Sequence, residues 1–273
     1  MPTLDPRLKK SIEIISQKDF KTLARHLRAL AGYVVGGLHL PYCYFKAKKL
    51  AQCSNLDKLI NFTFQDCGRL LKPLQIPAEM RALLGILNNM KPKFILEIGT
   101  AGGGCLFLFS RVASQEATLI SIDLPGGGFG DGSYPRWKIP LYKSFASANQ
   151  QLYLIKSNSH HYTTLEKVKS ILKSNKVDFL FIDGDHSYQG VKQDYEMYSP
   201  LVKKGGLIAF HDIKIHLPQT RCRVSNFWHE IKAGLPQPKI NDFASAKQEE
   251  IPKFQEIIED PSQNWGGIGI LRK

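Results

Sequence analysis

The sequence contains no C-x-x-C pair, and its five cysteines (Cys43, Cys53, Cys67, Cys105, Cys222) are odd in number and widely spaced. That pattern argues against a zinc site or a disulfide frame and for free thiols in a reducing compartment. No apolar run follows the early charges at Asp5, Arg7, Lys9 and Lys10, so no signal peptide is read and the cytoplasm is expected. Internal repeats, low-complexity tracts and nucleic-acid-binding motifs are also missing, and no nucleic-acid partner is expected. The uncharged stretch ALAGYVVGGLHLPYCYF between Arg28 and Lys46 is shorter than the roughly 20 residues a membrane-spanning helix needs, and Gly36, Gly37 and Pro41 break it. Two readings remain for it. The favoured one packs it against the main domain. The other makes it an interfacial hairpin with Arg25, Arg28, Lys46, Lys48 and Lys49 at lipid headgroups.

Acidic residues are few: 24 Asp and Glu stand against 37 Lys and Arg, for a net charge of +13. Residues 1–75 hold 13 Lys and Arg against 5 Asp and Glu, so this segment alone carries +8. The chain therefore divides into a basic, helical N-terminal extension, 1–75, and a domain, 76–273. Such an extension is either a solvated face or a patch drawn to anionic surfaces, which leaves open a peripheral position at the inner face of a membrane.

KDFKTLARHLRAL and IPAEMRALLGILNNM carry apolar residues at helical spacing, with Pro77 suited to a first turn. From Phe94 the period changes. FILEIG, TLISID, LYLIKS, VDFLFID and GLIAFHD are short apolar runs separated by helix-length stretches, the signature of buried parallel strands in βαβ order. FQEIIE and GIGILRK are joined by DPSQNWG, too short for a crossover helix, and should form an antiparallel hairpin. The predicted fold is a doubly wound, Rossmann-like α/β sheet, mostly parallel, finished by that hairpin.

Ligands of such sheets lie at the carboxyl ends of the strands. Three candidates fall there. In LEIGTAGGG, Gly99, Gly102, Gly103 and Gly104 allow close backbone approach, whereas Ala101 breaks the dinucleotide pattern G-x-G-x-x-G. Asp123, ending the second strand, is placed to accept the ribose hydroxyls of a nucleoside cofactor; its alternative role is a cap. Asp183, Asp185, His186, His211 and Asp212 end the fourth and fifth strands. Carboxylates and imidazoles gathered on one rim need hydrogen bonds, ion pairs or a metal. Beyond Asp123, PGGGFGDGSYPRWKIP reads as a lid whose Tyr134 and Trp137 either face an acceptor or pack against the domain.

From about Pro77 onward, through FILEIGTAGGG, SIDLPGGGFGDGSYPRWKIPLYKSF, SNSHHYTTLEKVKSIL, DFLFIDGDHSYQGVKQDYEMYSPLVKKGGLIAFHDI and WGGIGIL, the chain resembles the class I S-adenosylmethionine-dependent methyltransferases. The resemblance is to cephalosporin hydroxylase-like and rhamnosyl O-methyltransferase-like members and, more distantly, to metal-dependent macrolide-sugar O-methyltransferases. It implies cofactor contacts at Glu97, Gly99, Gly103 and Asp123, with Asn158 and Ser159 near the adenine. It also implies His186 as the catalytic base, and Asp183, with a catalytic role of its own, as ligand of a divalent cation, Mg²⁺ or another, together with Asp212 and His211. His211 departs from the acidic residue of those sugar enzymes, and Asn158 from the Asp of many relatives; Asp185 is the substitute ligand.

The resulting expectation is an O-methyltransferase using S-adenosylmethionine on a small-molecule or glycan hydroxyl, with homo-oligomerisation left open. The rival readings are a nicotinamide-dependent oxidoreductase and a non-catalytic, membrane-recruited protein that kept the cofactor fold.

Overall fold

The computed structural model describes residues 38–124, 134–147, 149–217, 219–234 and 253–273. The KDFKTLARHLRAL helix, the first part of the apolar stretch and the glycine-rich start of the lid lie outside them. Seven strands form one sheet in the order β3-β2-β1-β4-β5-β7-β6. They are β1 Phe94–Ile98, β2 Thr118–Asp123, β3 Gln151–Lys156, β4 Val177–Ile182, β5 Val202–His211, β6 Phe254–Ile257 and β7 Ile268–Arg272. The first five pair in parallel, and β7 runs antiparallel to both β5 and β6. The predicted class and the terminal hairpin are both present.

The inner strands β1, β2 and β4 are apolar on both faces because both faces are covered. In β4, Phe179 and Phe181 point into one core and Leu180 and Ile182 into the other, as the two-residue period of a strand requires. The first core is closed by α1 (residues 38–49), α2 Leu56–Asn61, a π-helical turn Phe62–Asp66, α3 Gly68–Leu71, α4 Pro77–Met90, α5 Gly104–Val112 and α6 Ile139–Lys143. The second is closed by α7 Tyr162–Leu172, α8 Tyr188–Tyr198 and α9 Val224–Gly234. Pro77 does occupy the first turn of α4, where its missing N–H leaves no bond unmade.

Of the apolar stretch, residues 38–45 lie in α1 rather than in a hairpin. Cys43 and Ala47 are fully buried on one side, whereas Leu38, Tyr42 and Phe45 stand exposed on the other. Phe62 meets Phe107 of α5 with ring centroids 4.7 Å apart, so the described part of the extension contributes to the same core as the sheet.

The expectation of five free thiols is corrected. Cys43 of α1 and Cys67, just after the π-helical turn, form a disulfide with Cα atoms 5.8 Å apart, leaving Cys53, Cys105 and Cys222 free. Spacing concealed it because a helix and a turn, 24 residues apart in sequence, are brought together only by tertiary packing. The argument from thiols to a reducing compartment loses its support. Among the described residues no helix is long and apolar enough to cross a membrane.

Candidate active site at the carboxyl ends of β1, β2, β4 and β5

The strand order reverses between β1 and β4, and the glycine loop after β1 sits at that point. The Gly99 N–H donates to the Ile122 carbonyl at 2.9 Å, and the Asp183 N–H donates to the Ile98 carbonyl at 2.8 Å. The loop is thus wedged between the ends of β2 and β4. Gly99 has φ of 87°, and a Cβ there would run into the Asp183 carbonyl; Gly103 has φ of 88°, and a Cβ would strike the Tyr142 ring. Both positions need glycine for conformation and for space.

Glu97 is fully buried beneath this loop. Its Oε2 accepts from Ser121 Oγ at 2.6 Å and Thr100 Oγ1 at 3.0 Å, while its Oε1 is buried with no hydrogen-bond partner. Burial, only partly offset by those two hydroxyls, pushes the carboxyl pKa up to about 8. Tyr134 closes the same network, its hydroxyl 2.8 Å from Ser121 Oγ and 2.9 Å from Thr100 Oγ1. Of the two readings for the lid aromatics, the buried Tyr134 takes the structural one, and Trp137 packs against the core.

Asp123, half-buried at the end of β2, accepts the Leu124 N–H at 3.0 Å. Asn158 Oδ1 accepts the His160 N–H at 2.9 Å, and the Ser159 carbonyl accepts the Tyr198 hydroxyl at 2.7 Å. The loop after β3 is further tied to α8 by His160 Nε2, 3.3 Å from Oδ1 of the fully buried Asp194. Helix α8 begins directly after the loop carrying His186, so both loops lean on one element.

Asp183, His186, His211 and Asp212 do converge. Asp183 Oδ1 lies 3.0 Å from His211 Nδ1 and 3.2 Å from His186 Nε2, and Asp183 Oδ2 accepts the Gln75 amide at 2.6 Å. His186 Nδ1 is 2.8 Å from Asp212 Oδ2, and Asp212 Oδ1 accepts the Gly266 N–H at 3.0 Å and lies 3.2 Å from His216 Nε2. Burial opposes charge on His186, but hydrogen bonds to Asp183 and Asp212 outweigh it and raise its pKa strongly. Burial likewise opposes a charged His211, and Asp183 outweighs it; both carboxylates end below their usual range through these imidazoles. The two carboxylates thus favour the charged ring over the neutral imidazole of an unperturbed side chain. Asp185 is exposed and accepts the Ser187 N–H at 2.8 Å, setting the start of α8 rather than joining the cluster.

Gln75, His216 and Cys222 belong to the site but escaped the sequence reading. His216, four residues after Asp212, carried a spacing signal; Gln75 and Cys222 carried none. Oxygens of Asp183 and Asp212 are already engaged by imidazoles, and the surrounding donors are rich in nitrogen. As a set they do not fit Mg²⁺, which is held by oxygens in near-ideal octahedral geometry.

The family model for a methyltransferase domain matches residues 96–213, the span from β1 to just beyond Asp212. An uncharacterized protein of Acanthamoeba polyphaga mimivirus is 32% identical over 171 residues, which are 56% of this chain and 70% of that protein. The chain belongs to the methyltransferase-domain family. An uncharacterized protein of Sinorhizobium fredii is 29% identical over 154 residues, 55% of this chain, but the chain spans only 16% of that relative's length. Among solved structures, an O-methyltransferase from Bacillus cereus in complex with SAH superposes with a TM-score of 0.52 at 17% identity, over 80% of this chain and 90% of that one. At that identity the likeness is one of fold.

Proposed function

We propose that the chain transfers a methyl group from S-adenosylmethionine to a hydroxyl oxygen, with a sugar of a glycolipid, polysaccharide or secondary metabolite as the acceptor. The observation that carries this reading is the orphaned Oε1 of Glu97, a buried acceptor beneath a glycine loop and one strand from Asp123. A buried polar atom without a partner is expensive, and the ammonium of the cofactor's methionine part supplies it with a hydrogen-bond donor and, once the carboxyl ionises, with the opposite charge. Asp123 suits the ribose, and Asn158 and Ser159 the adenine end. The chemistry supplied by bound S-adenosylmethionine is an activated methyl on a sulfonium sulfur.

The chain's own residues then have two tasks, aligning the hydroxyl behind that methyl and removing its proton. Asp212 orients His186 through Nδ1. The Nε2 contact with Asp183 is the longer of the ring's two, 3.2 Å against 2.8 Å, so Nε2 is the atom that first gives up its proton to solvent and then receives the hydroxyl proton.

A second feature supports recruitment to anionic surfaces. Leu38, Tyr42 and Phe45 recur at helical spacing on the exposed side of α1, with exposed Lys48 and Lys49 beside them. Calorimetry with S-adenosylmethionine, its demethylated product and NAD tests the cofactor assignment; binding of NAD alone overturns it. Labelled S-adenosylmethionine incubated with a glycoconjugate pool, followed by mass spectrometry, identifies the acceptor.

A further inference from the structure

The chain after β5 turns back onto the loop after β4. Asp212 leaves the strand in the left-handed region, with φ of 65°, and the Arg223 N–H donates to the His186 carbonyl at 2.7 Å. This bond brings Cys222 beside His186. The donor atoms of His186, Asp212 and Cys222 lie within 4.8 Å of one another. They are one imidazole nitrogen, one carboxylate oxygen and one sulfur.

We propose that His186, Asp212 and Cys222 form a binding site for a soft divalent cation of the Zn²⁺ class. Imidazole and thiolate favour such ions, whereas Mg²⁺ takes oxygen. Around a tetrahedral Zn²⁺ with bonds of roughly 2.0 to 2.3 Å, neighbouring donors stand roughly 3.3 to 3.6 Å apart. His186 Nδ1 and Asp212 Oδ2, now at 2.8 Å, open by about half an ångström, and Cys222 closes in. Gly266 N and His216 hold the other Asp212 oxygen, which leaves Oδ2 to face the ion. Three protein ligands leave a fourth position open. The ligands bind as a thiolate and as a ring nitrogen without its proton, so binding releases protons to solvent. An ion at Nδ1 leaves the ring's remaining proton on Nε2, and His186 then cannot accept another from a hydroxyl; cation binding and the proposed proton transfer exclude each other. The site itself stands on the donor set and does not depend on the methyl-transfer reading.

The test uses the full chain, stripped with chelator and titrated with Co²⁺, Zn²⁺ and Mg²⁺ in the absence of S-adenosylmethionine. Co²⁺ should produce a thiolate-to-metal charge-transfer band in the near ultraviolet, Zn²⁺ should displace it, and Mg²⁺ should not. Cys222→Ser should abolish the band and weaken Zn²⁺ binding at least tenfold, while keeping the wild-type melting temperature. His186→Asn should weaken Zn²⁺ binding to a similar degree. No band in the wild type, or a band unchanged in Cys222→Ser, overturns the proposal. So does a band that vanishes instead in Cys43→Ser/Cys67→Ser, which would place it on that pair in its reduced form beside His39 rather than on Cys222.

Discussion

Glu97 offers a perturbation whose size follows from its surroundings. Its carboxyl, ordinarily near 4.5, is raised by burial to about 8, so between those values the folded protein holds a proton that the unfolded chain has released. Stability conferred by the protonated form is complete below about 4.5 and is lost as pH rises toward 8. At pH 7 the interval above 4.5 is 2.5 units, worth about 3 kcal/mol at about 1.4 kcal/mol per unit. Glu97→Gln keeps an oxygen for Ser121 and Thr100 and removes the titration. Without ligand it should melt about 6 to 12 °C above the wild type at pH 7, at roughly 2–4 °C per kcal/mol, and the gap should close toward pH 5. With S-adenosylmethionine the order should invert, because only ionised Glu97 pairs with an ammonium, so the wild type gains more from the ligand and gains most near pH 8. Scanning calorimetry of both proteins from pH 5 to 8, with and without ligand, checks both parts. Parallel wild-type and variant curves across that range would refute the reasoning.

Asp123→Ala should weaken S-adenosylmethionine binding by about 1.5–3 kcal/mol, the scale of hydrogen bonds to a charged group, measured by calorimetry. His186→Ala should lower turnover by about 10²–10⁴-fold with little change in cofactor affinity, read by steady-state kinetics once an acceptor is known. Cys43→Ser/Cys67→Ser should lose about 3 kcal/mol in denaturant unfolding, the scale for opening a cross-link across 24 residues. Leu38→Ser/Phe45→Ser should reduce sedimentation with anionic vesicles at low salt; if neutral vesicles bind the wild type equally, the basic residues beside that face contribute nothing.

The sheet was legible because each strand is a short apolar run ended by Gly, Asp or Ser, and such runs leave buried parallel strands few alternatives. The rim residues were legible for the same reason: once FILEIG, TLISID, VDFLFID and GLIAFHD are strands, Glu97, Asp123, Asp183 and Asp212 must end on one edge. What stayed hidden is non-local. Gln75 reaches Asp183 across 108 residues, and Cys222 meets His186 only because a backbone bond from Arg223 seats it there. Tyr134 reads equally as an acceptor-facing or a packed aromatic until the hydroxyl network around Glu97 accounts for its burial. The charge on His186 depends on two carboxylates whose distances no linear pattern records.

The matched methyltransferase span begins at residue 96, but the polar fittings of its rim do not. Gln75 anchors Asp183 from one side of that boundary, and Gly266 anchors Asp212 from the other. Buried Glu79 clamps the C-terminal turn itself, accepting from the Gly267 N–H at 2.9 Å and the Gln263 amide at 2.8 Å. Grafting the matched span alone onto another scaffold would transplant the rim's carboxylates without the braces that aim them, and a chain trimmed to residue 76 would already have discarded the first brace.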